Sequence, residues 1–211
     1  MKHGYVEAKP LSGSTKKLAI LLHGVGSNAE DLAMIIPYMQ ESLPDFSFIS
    51  LNGPQKYDLA AFGYQWFSFQ SRELEDLERE VGKTLPAVLD FIEEKLQELS
   101  LGFEDLFLIG FSQGAMLATH IATSFNKKLG GIIAFAGTII PRSSFEGNTK
   151  TPICFIYGTE DEILSLERLR NSTEMLKQIG FNVESNEIAD LGHSIDLKSI
   201  AFANNFILKL L

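Results

Sequence analysis

Five short, almost wholly apolar runs punctuate the chain, separated by stretches too long for hairpin turns: Lys17–Leu22 (KLAILL), Phe46–Leu51 (FSFISL), Leu106–Phe111 (LFLIGF), Gly131–Ala136 (GIIAFA) and Ile153–Tyr157 (ICFIY). A strand with one wet face alternates apolar and polar residues. A run without alternation is covered on both faces, the condition of a parallel sheet. Asn182–Ile188, apolar only at Val183 and Ile188, is a weaker sixth candidate. Parallel neighbours need crossover segments, and the intervening stretches read as helices. Leu32, Ile35, Ile36 and Met39 recur at helical spacing behind a cap at Ser27 or Asn28. Leu85, Val88, Leu89, Ile92, Leu96 and Leu99 mark a second helix. Pro86, tolerated only in a first turn, places its start near Thr84. Gln113–Phe125, Leu164–Ile179 closed by Gly180, and Ile195–Leu211 complete the set. This alternation predicts an α/β fold: a doubly wound, mostly parallel central sheet with helices on both faces. A length of 211 residues predicts one domain, 1–211.

The stretch 52–80 fits no strand–helix unit. It holds the only Trp, Trp66, together with Tyr57, Phe62, Tyr64, Phe67 and Phe69. That aromatic content argues against disorder and predicts an irregular functional loop near the site. Its acidic tail, Glu73–Glu80, reads as solvated surface. The net charge of −9 disfavours nucleic acid and anionic membrane surfaces as partners. A single cysteine, Cys154, cannot form an internal disulfide and fits a reducing compartment. The N-terminus Met1-Lys2-His3-Gly4-Tyr5 has no signal-peptide character, and no apolar run approaches the ~18 residues of a membrane span. A cytoplasmic protein without integral membrane association is expected.

In open α/β sheets the chemistry sits at the carboxyl ends of the strands. The third apolar run ends there in Gly110-Phe111-Ser112-Gln113-Gly114, with helix-forming sequence directly after it. A G-x-S-x-G motif in that context is a strand-to-helix turn that exposes a serine nucleophile, as in the α/β-hydrolase fold. The serine needs a base, and four histidines compete. His3 lies at the terminus. His120 lies eight residues into the helix after Ser112 and reads as a satisfied core or surface residue. His23 ends the first run in His23-Gly24-Val25-Gly26, where the glycines suggest a backbone role. His193, in Leu191-Gly192-His193-Ser194 after the last strand, occupies the place of the base in the chain order Ser…Asp…His. An acid must orient the imidazole, and Glu160, Asp161 and Glu162 compete after the fifth run. An oxyanion hole would use the amide of Gln113 and one from the loop after an early strand, with Val25 the natural donor. No G-x-G-x-x-G, Walker lysine, HExxH or cysteine pair is present, so dinucleotide, nucleotide-phosphate and metal chemistry are not expected.

LLHGVGSN, NGPQ, GYQWFSF, GFSQGAMLA, YGTEDEIL and LGHSI stand in this order along nearly the whole chain. Together they resemble the phospholipase/carboxylesterase family, which includes acyl-protein thioesterases and small bacterial carboxylesterases. The resemblance implies an α/β-hydrolase fold and a triad of Ser112, Asp161 and His193. It implies oxyanion amides on Val25 and Gln113, and no cofactor or metal. It also implies substrates among short- to medium-chain acyl esters, lysophospholipids and S-acyl thioesters, lipid-like or carried on protein. The family is often dimeric, so a homodimer is among the expected assemblies. Two departures flank the acid: Tyr157-Gly158 stands where the family usually has His-Gly, and Ile163-Leu164-Ser165 where it has Val-Val-Pro. Trp66 and Phe67 match the family's Trp-aromatic pair beside the acyl site, and core packing reads equally well for them. A ligand-binding relative without catalysis would be expected to break the triad or lose a motif glycine, and none is lost here.

Overall fold

The computed structural model describes residues 4–71, 74–140, 142 and 144–211. Its main sheet is built from β1 (Tyr5–Ala8), β2 (Lys17–Leu22), β3 (Phe46–Leu51), β6 (Leu106–Phe111), β7 (Gly131–Phe135), β8 (Ile153–Gly158) and β9 (Val183–Ile188). The strand order is β1-β3-β2-β6-β7-β8-β9. All neighbours run parallel except the β1–β3 pair. Between β3 and the next helix, β4 (Gln55–Lys56) and β5 (Tyr64–Gln65) form a separate antiparallel pair. Among the described residues six α-helices accompany the strands: α1 (Ala29–Ala33), α2 (Ile36–Gln40), α3 (Leu74–Leu99), α4 (Gln113–Ser124), α5 (Leu166–Ile179) and α6 (Leu197–Leu208).

The absence of alternation in the apolar runs has a direct structural cause. Leu18, Ile20 and Leu22 of β2 face one core, shared with α3, α4 and α5. Ala19 and Leu21 face a second core, shared with α1, α2 and α6. Both faces of each central strand are thus dry, as a doubly covered parallel sheet requires. The reversal of strand order falls at β2, with β3 on one side and β6 on the other, and the ligand crevice of such sheets opens at that point.

Three features depart from the sequence reading. The edge strand β1 pairs Tyr5–Ala8 with Leu51–Phe48, and its four residues are all exposed or half-buried, so no apolar run marks it. The helix expected behind Asn28 is two short helices: Asn28 caps α1 by accepting from the Asp31 N–H at 2.8 Å. Pro37, in the first turn of α2, has no N–H to continue α1's ladder. Finally, α3 begins at Leu74 rather than near Thr84, with Pro86 inside it. Buried Leu77, Val81 and Thr84 anchor the early turns, and the Thr84 hydroxyl donates to the Trp66 carbonyl at 2.5 Å. Tertiary packing thereby offsets the lost hydrogen bond at proline. The charged run read as solvated surface is therefore helical from Leu74 onward, while Glu73 lies outside the described residues.

Leu108, fully buried at the centre of β6, tests this packing. Leu108→Ala should cost about 2–5 kcal/mol. Urea denaturation should show a lower midpoint at unchanged slope. Leu59→Ala, at a side chain 79% exposed, should stay within about 0.5 kcal/mol of wild type in the same measurement.

Candidate active site

The turn from β6 into α4 forces Ser112 to φ 51°, ψ −113°, a backbone conformation a non-glycine residue rarely adopts. Such a residue carries roughly 1–3 kcal/mol of strain and persists only where its surroundings over-determine it. Here the Ser112 N–H donates to Phe135 at 2.9 Å, and the Ser112 carbonyl accepts from Met116 at 3.0 Å. The motif's glycines are a steric requirement. A Cβ on Gly114 would lie 1.9 Å from the Leu22 carbonyl oxygen, and one on Gly110 2.4 Å from the Ala115 backbone. Helix α4 thus enters backbone-against-backbone beside β2, and only glycine fits.

The structure brings together three residues 81 and 32 positions apart. His193 Nε2 lies 2.9 Å from Ser112 Oγ, and His193 Nδ1 lies 2.8 Å from an Asp161 carboxylate oxygen. The carboxylate can only accept, so Nδ1 carries the proton and Nε2 is left to accept from the serine hydroxyl. The other Asp161 oxygen accepts from the backbone N–H groups of Ile163 and Leu164 at 2.9 and 2.8 Å. The Asp161 side chain is 1% exposed, whereas Glu160 and Glu162 are exposed. The geometry therefore separates three acids that sequence leaves in competition. Because Ile163 and Leu164 contribute main-chain groups, their departure from the family pattern leaves this contact intact. The loops after β8 and β9 are laced together: Glu160 N–H donates to Leu191 at 3.0 Å, and Asp190 N–H donates to the Thr159 hydroxyl at 3.1 Å.

Val25 follows β2 and Gln113 opens α4. Among the described residues neither backbone N–H has an acceptor, which leaves both available to a ligand. The Gln113 side chain is occupied elsewhere. Its carbonyl accepts from Trp66 N–H at 2.8 Å, and its amide donates to the Phe67 carbonyl at 2.7 Å. Trp66 Nε1–H donates to the His23 carbonyl at 2.8 Å. Trp66 and Phe67 are fully buried, which favours core packing, one of the two readings open for them, over a place in the pocket wall. They form the floor beneath the loop after β2, where their polar groups are satisfied and their rings lie in the core.

A cavity of about 330 Å³ opens beside His193, walled by Gly24, Leu32, Ile35, Phe111 and Ile195, with Ser27, Asp31 and Ser194 supplying polar groups. The Phe111 and His193 rings pack at 5.1 Å. The aromatic loop expected near the site does not line this cavity. Tyr57 instead sits over Gly26, while Leu59 and Phe62 are exposed. A larger groove of about 410 Å³ runs along α5 between Thr138 and Met175, but it contains none of the three site residues. Phe111 was readable as the variable residue of G-x-S-x-G. Leu32 and Ile35 were masked as ordinary core positions of a helix.

Of the remaining histidines, His3 lies outside the described residues. Among the described residues no group of three or more His, Cys, Asp and Glu is placed to hold a metal ion. No helix there is long and apolar enough to cross a membrane. Burial pushes the Cys154 thiol well above its ordinary range, which leaves it unreactive.

The fold and this crevice define an α/β-hydrolase. The phospholipase/carboxylesterase family model matches residues 3–211, and the chain belongs to that family. It is a hydrolase of the carboxylesterase and thioesterase type. The chain is 29% identical to Esterase YpfH of Escherichia coli (strain K12), a match covering 96% of this chain and 87% of that protein. It is 24% identical to Acyl-protein thioesterase 1 of Candida albicans, covering 94% of each. The crystal structure of esterase PE8 superposes with a TM-score of 0.91 at 27% identity, over the full length of both chains.

His120 provides a pH test. It is buried as one of the two expected alternatives, yet its Nδ1 has no partner among the described residues. Burial, reinforced by the Arg142 guanidinium, lowers its pKa to about 4 from 6.5. Between those values the unfolded chain binds a proton that the folded chain refuses. The contribution is fully present above pH 6.5 and is lost as pH falls to 4, amounting to about 3 kcal/mol. Denaturation midpoints from pH 7 to 4 should show a shallower decline in His120→Met than in wild type.

Proposed function

We propose that the protein is a serine carboxylesterase, hydrolysing short- to medium-chain acyl esters through an acyl-enzyme on Ser112. The observation that carries this reading is the unbroken hydrogen-bonded chain from Ser112 Oγ through His193 to Asp161. Ser112 Oγ attacks the acyl carbonyl carbon while His193 Nε2 takes its proton. Asp161 holds the ring in the required tautomer and stabilises the imidazolium. The N–H groups of Val25 and Gln113 receive the tetrahedral oxyanion. As the intermediate collapses, His193 returns the proton to the departing alkoxide. Water, deprotonated by His193, then attacks the acyl-enzyme, and Ser112 leaves with the proton as the carboxylic acid is released. The apolar wall of Leu32, Ile35, Phe111 and Ile195 takes the acyl chain. Its volume of about 330 Å³ sits at the lower end of the range for small-molecule sites, which supports short to medium chains over long ones.

A second reading is hydrolysis of S-acyl thioesters, carried on protein or small thiols. The similarity to Acyl-protein thioesterase 1 over 94% of the chain supports it. The acyl half of the mechanism is identical, and only the leaving group differs. We place the reaction in the cytoplasm, on the support of the lone buried thiol.

Ser112→Ala should abolish labelling by a fluorophosphonate probe and lower kcat by roughly 10⁴–10⁶, with the melting temperature little changed. Labelling that survives the substitution would sink the assignment. Asp161→Asn should keep the fold and lower kcat by about 10⁴. Paired oxyesters, thioesters and lysophospholipids of graded chain length should give the highest kcat/KM for short or medium oxyesters. A tenfold preference for thioesters of equal length would favour the second reading.

A further inference from the structure

His23 is wholly buried at the end of β2, yet both ring nitrogens are engaged. Nε2 lies 3.0 Å from the Gly53 N–H, which can only donate, so Nε2 accepts. The proton is therefore on Nδ1, and it donates to the Gly24 carbonyl at 2.6 Å. That carbonyl also accepts from the Ser27 N–H at 3.2 Å. Two donors thus fix the plane of the Gly24–Val25 peptide. In a trans peptide the N–H points opposite to the C=O, so holding the Gly24 oxygen aims the Val25 N–H the other way. Gly24 itself packs on the nucleophile: a Cβ there would lie 3.4 Å from Ser112 Cβ.

We propose that His23 is a positioning residue for hydrolysis: its Nδ1–H holds the Gly24 carbonyl so that the Val25 N–H faces the oxyanion forming at Ser112. This rests on the assignment of Val25 as an oxyanion donor under the function proposed above. Without that bond only the Ser27 N–H, at 3.2 Å, holds the Gly24 carbonyl, and the peptide rotates more readily to present a carbonyl oxygen, which repels the developing charge. The main chain of His23 is held as well. Trp66 Nε1–H donates to the His23 carbonyl, and Trp66 N–H donates to the side chain of Gln113, whose own backbone is the second donor. One buried polar block therefore reaches both halves of the oxyanion site. Burial lowers the pKa of His23, which keeps the ring neutral with one donor and one acceptor.

Two substitutions separate the ring's two bonds. Asn carries its amide nitrogen at the same bond count from Cα as Nδ1, and Gln carries its amide group at that of Nε2. His23→Asn can keep the donor to Gly24, whereas His23→Gln can keep only the acceptor for Gly53. His23→Asn leaves the Gly53 N–H unmet and His23→Gln leaves the Gly24 carbonyl with the Ser27 N–H alone, so both should lose thermal stability, His23→Asn at least as much as His23→Gln. We expect kcat to stay within about tenfold of wild type in His23→Asn and to fall by about 10²–10³ in His23→Gln, the loss typical of one oxyanion donor. KM should change by less than about threefold in both. Affinity for an alkyl boronic acid, whose Ser112 adduct carries the oxyanion, should fall in parallel with kcat. Equal losses of kcat in the two variants, or losses that follow melting temperature, would overturn the inference. Nitrogen-15 NMR of the wild-type histidines, which needs no variant, should find the His23 proton on Nδ1; a proton on Nε2 would overturn it too. Failure of the underlying function is distinguishable, since fluorophosphonate labelling would then persist in Ser112→Ala.

Discussion

The near-contact of α4 with the end of β2 governs the geometry of the whole crevice. Gly114 sets helix backbone directly against the Leu22 carbonyl, closer than any side chain allows. Ser112 is left at the apex of the turn in a strained conformation, its amide and carbonyl both bound. The approach also brings the first N–H of α4 beside the loop that leaves β2. A helix N-terminus pointed at that spot favours negative charge, whatever side chains surround it. The constraint is one of excluded volume, and the electrostatics follow from it.

Most of the sheet was legible because its central strands are dry on both faces, which writes continuous apolar runs into the sequence. The strands from Lys17, Phe46, Leu106, Gly131 and Ile153 each begin at the residue where their run begins. What escaped had weaker writing. β1 is an edge strand with half its residues exposed, so it needs no apolar run. The early turns of α3 carry Leu77 and Val81 at spacings that continue the stripe through Val88 and Ile92. Pro86 is the stronger local signal, and it points to a helix start that tertiary packing overrides.

Ser112 and His193 could be singled out in sequence because each ends a strand in a motif or in chain order. The acid could not be separated on the residues alone. Glu160, Asp161 and Glu162 differ chiefly in which way the turn directs them, and only Asp161 is turned inward onto Nδ1. Trp66 and Phe67 illustrate the opposite difficulty. Their proximity to the site is real, but they lie beneath the loop after β2, and an apolar side chain's sequence context does not distinguish floor from wall. The cleft wall itself comes from Leu32, Ile35, Phe111 and Ile195, drawn from three separate parts of the chain.

A division of labour follows from which groups touch which. Under the proposed function, reacting roles fall to side chains, and the side chains are held by main-chain donors: Ile163 and Leu164 hold Asp161. Under that same proposal, oxyanion roles fall to main-chain donors, and these are held by side chains: His23 grips the Gly24 carbonyl, and Gln113 clasps Trp66 and Phe67. The two kinds of support tolerate change differently. Around Asp161 a residue can vary if its N–H stays in place, as the unusual Ile163-Leu164 shows. Around Val25 and Gln113 the supports are buried side-chain hydrogen bonds, where losing one partner strands the other at a cost of about 1–3 kcal/mol. Substitution should therefore be freer on the acid side of the crevice than on the oxyanion side.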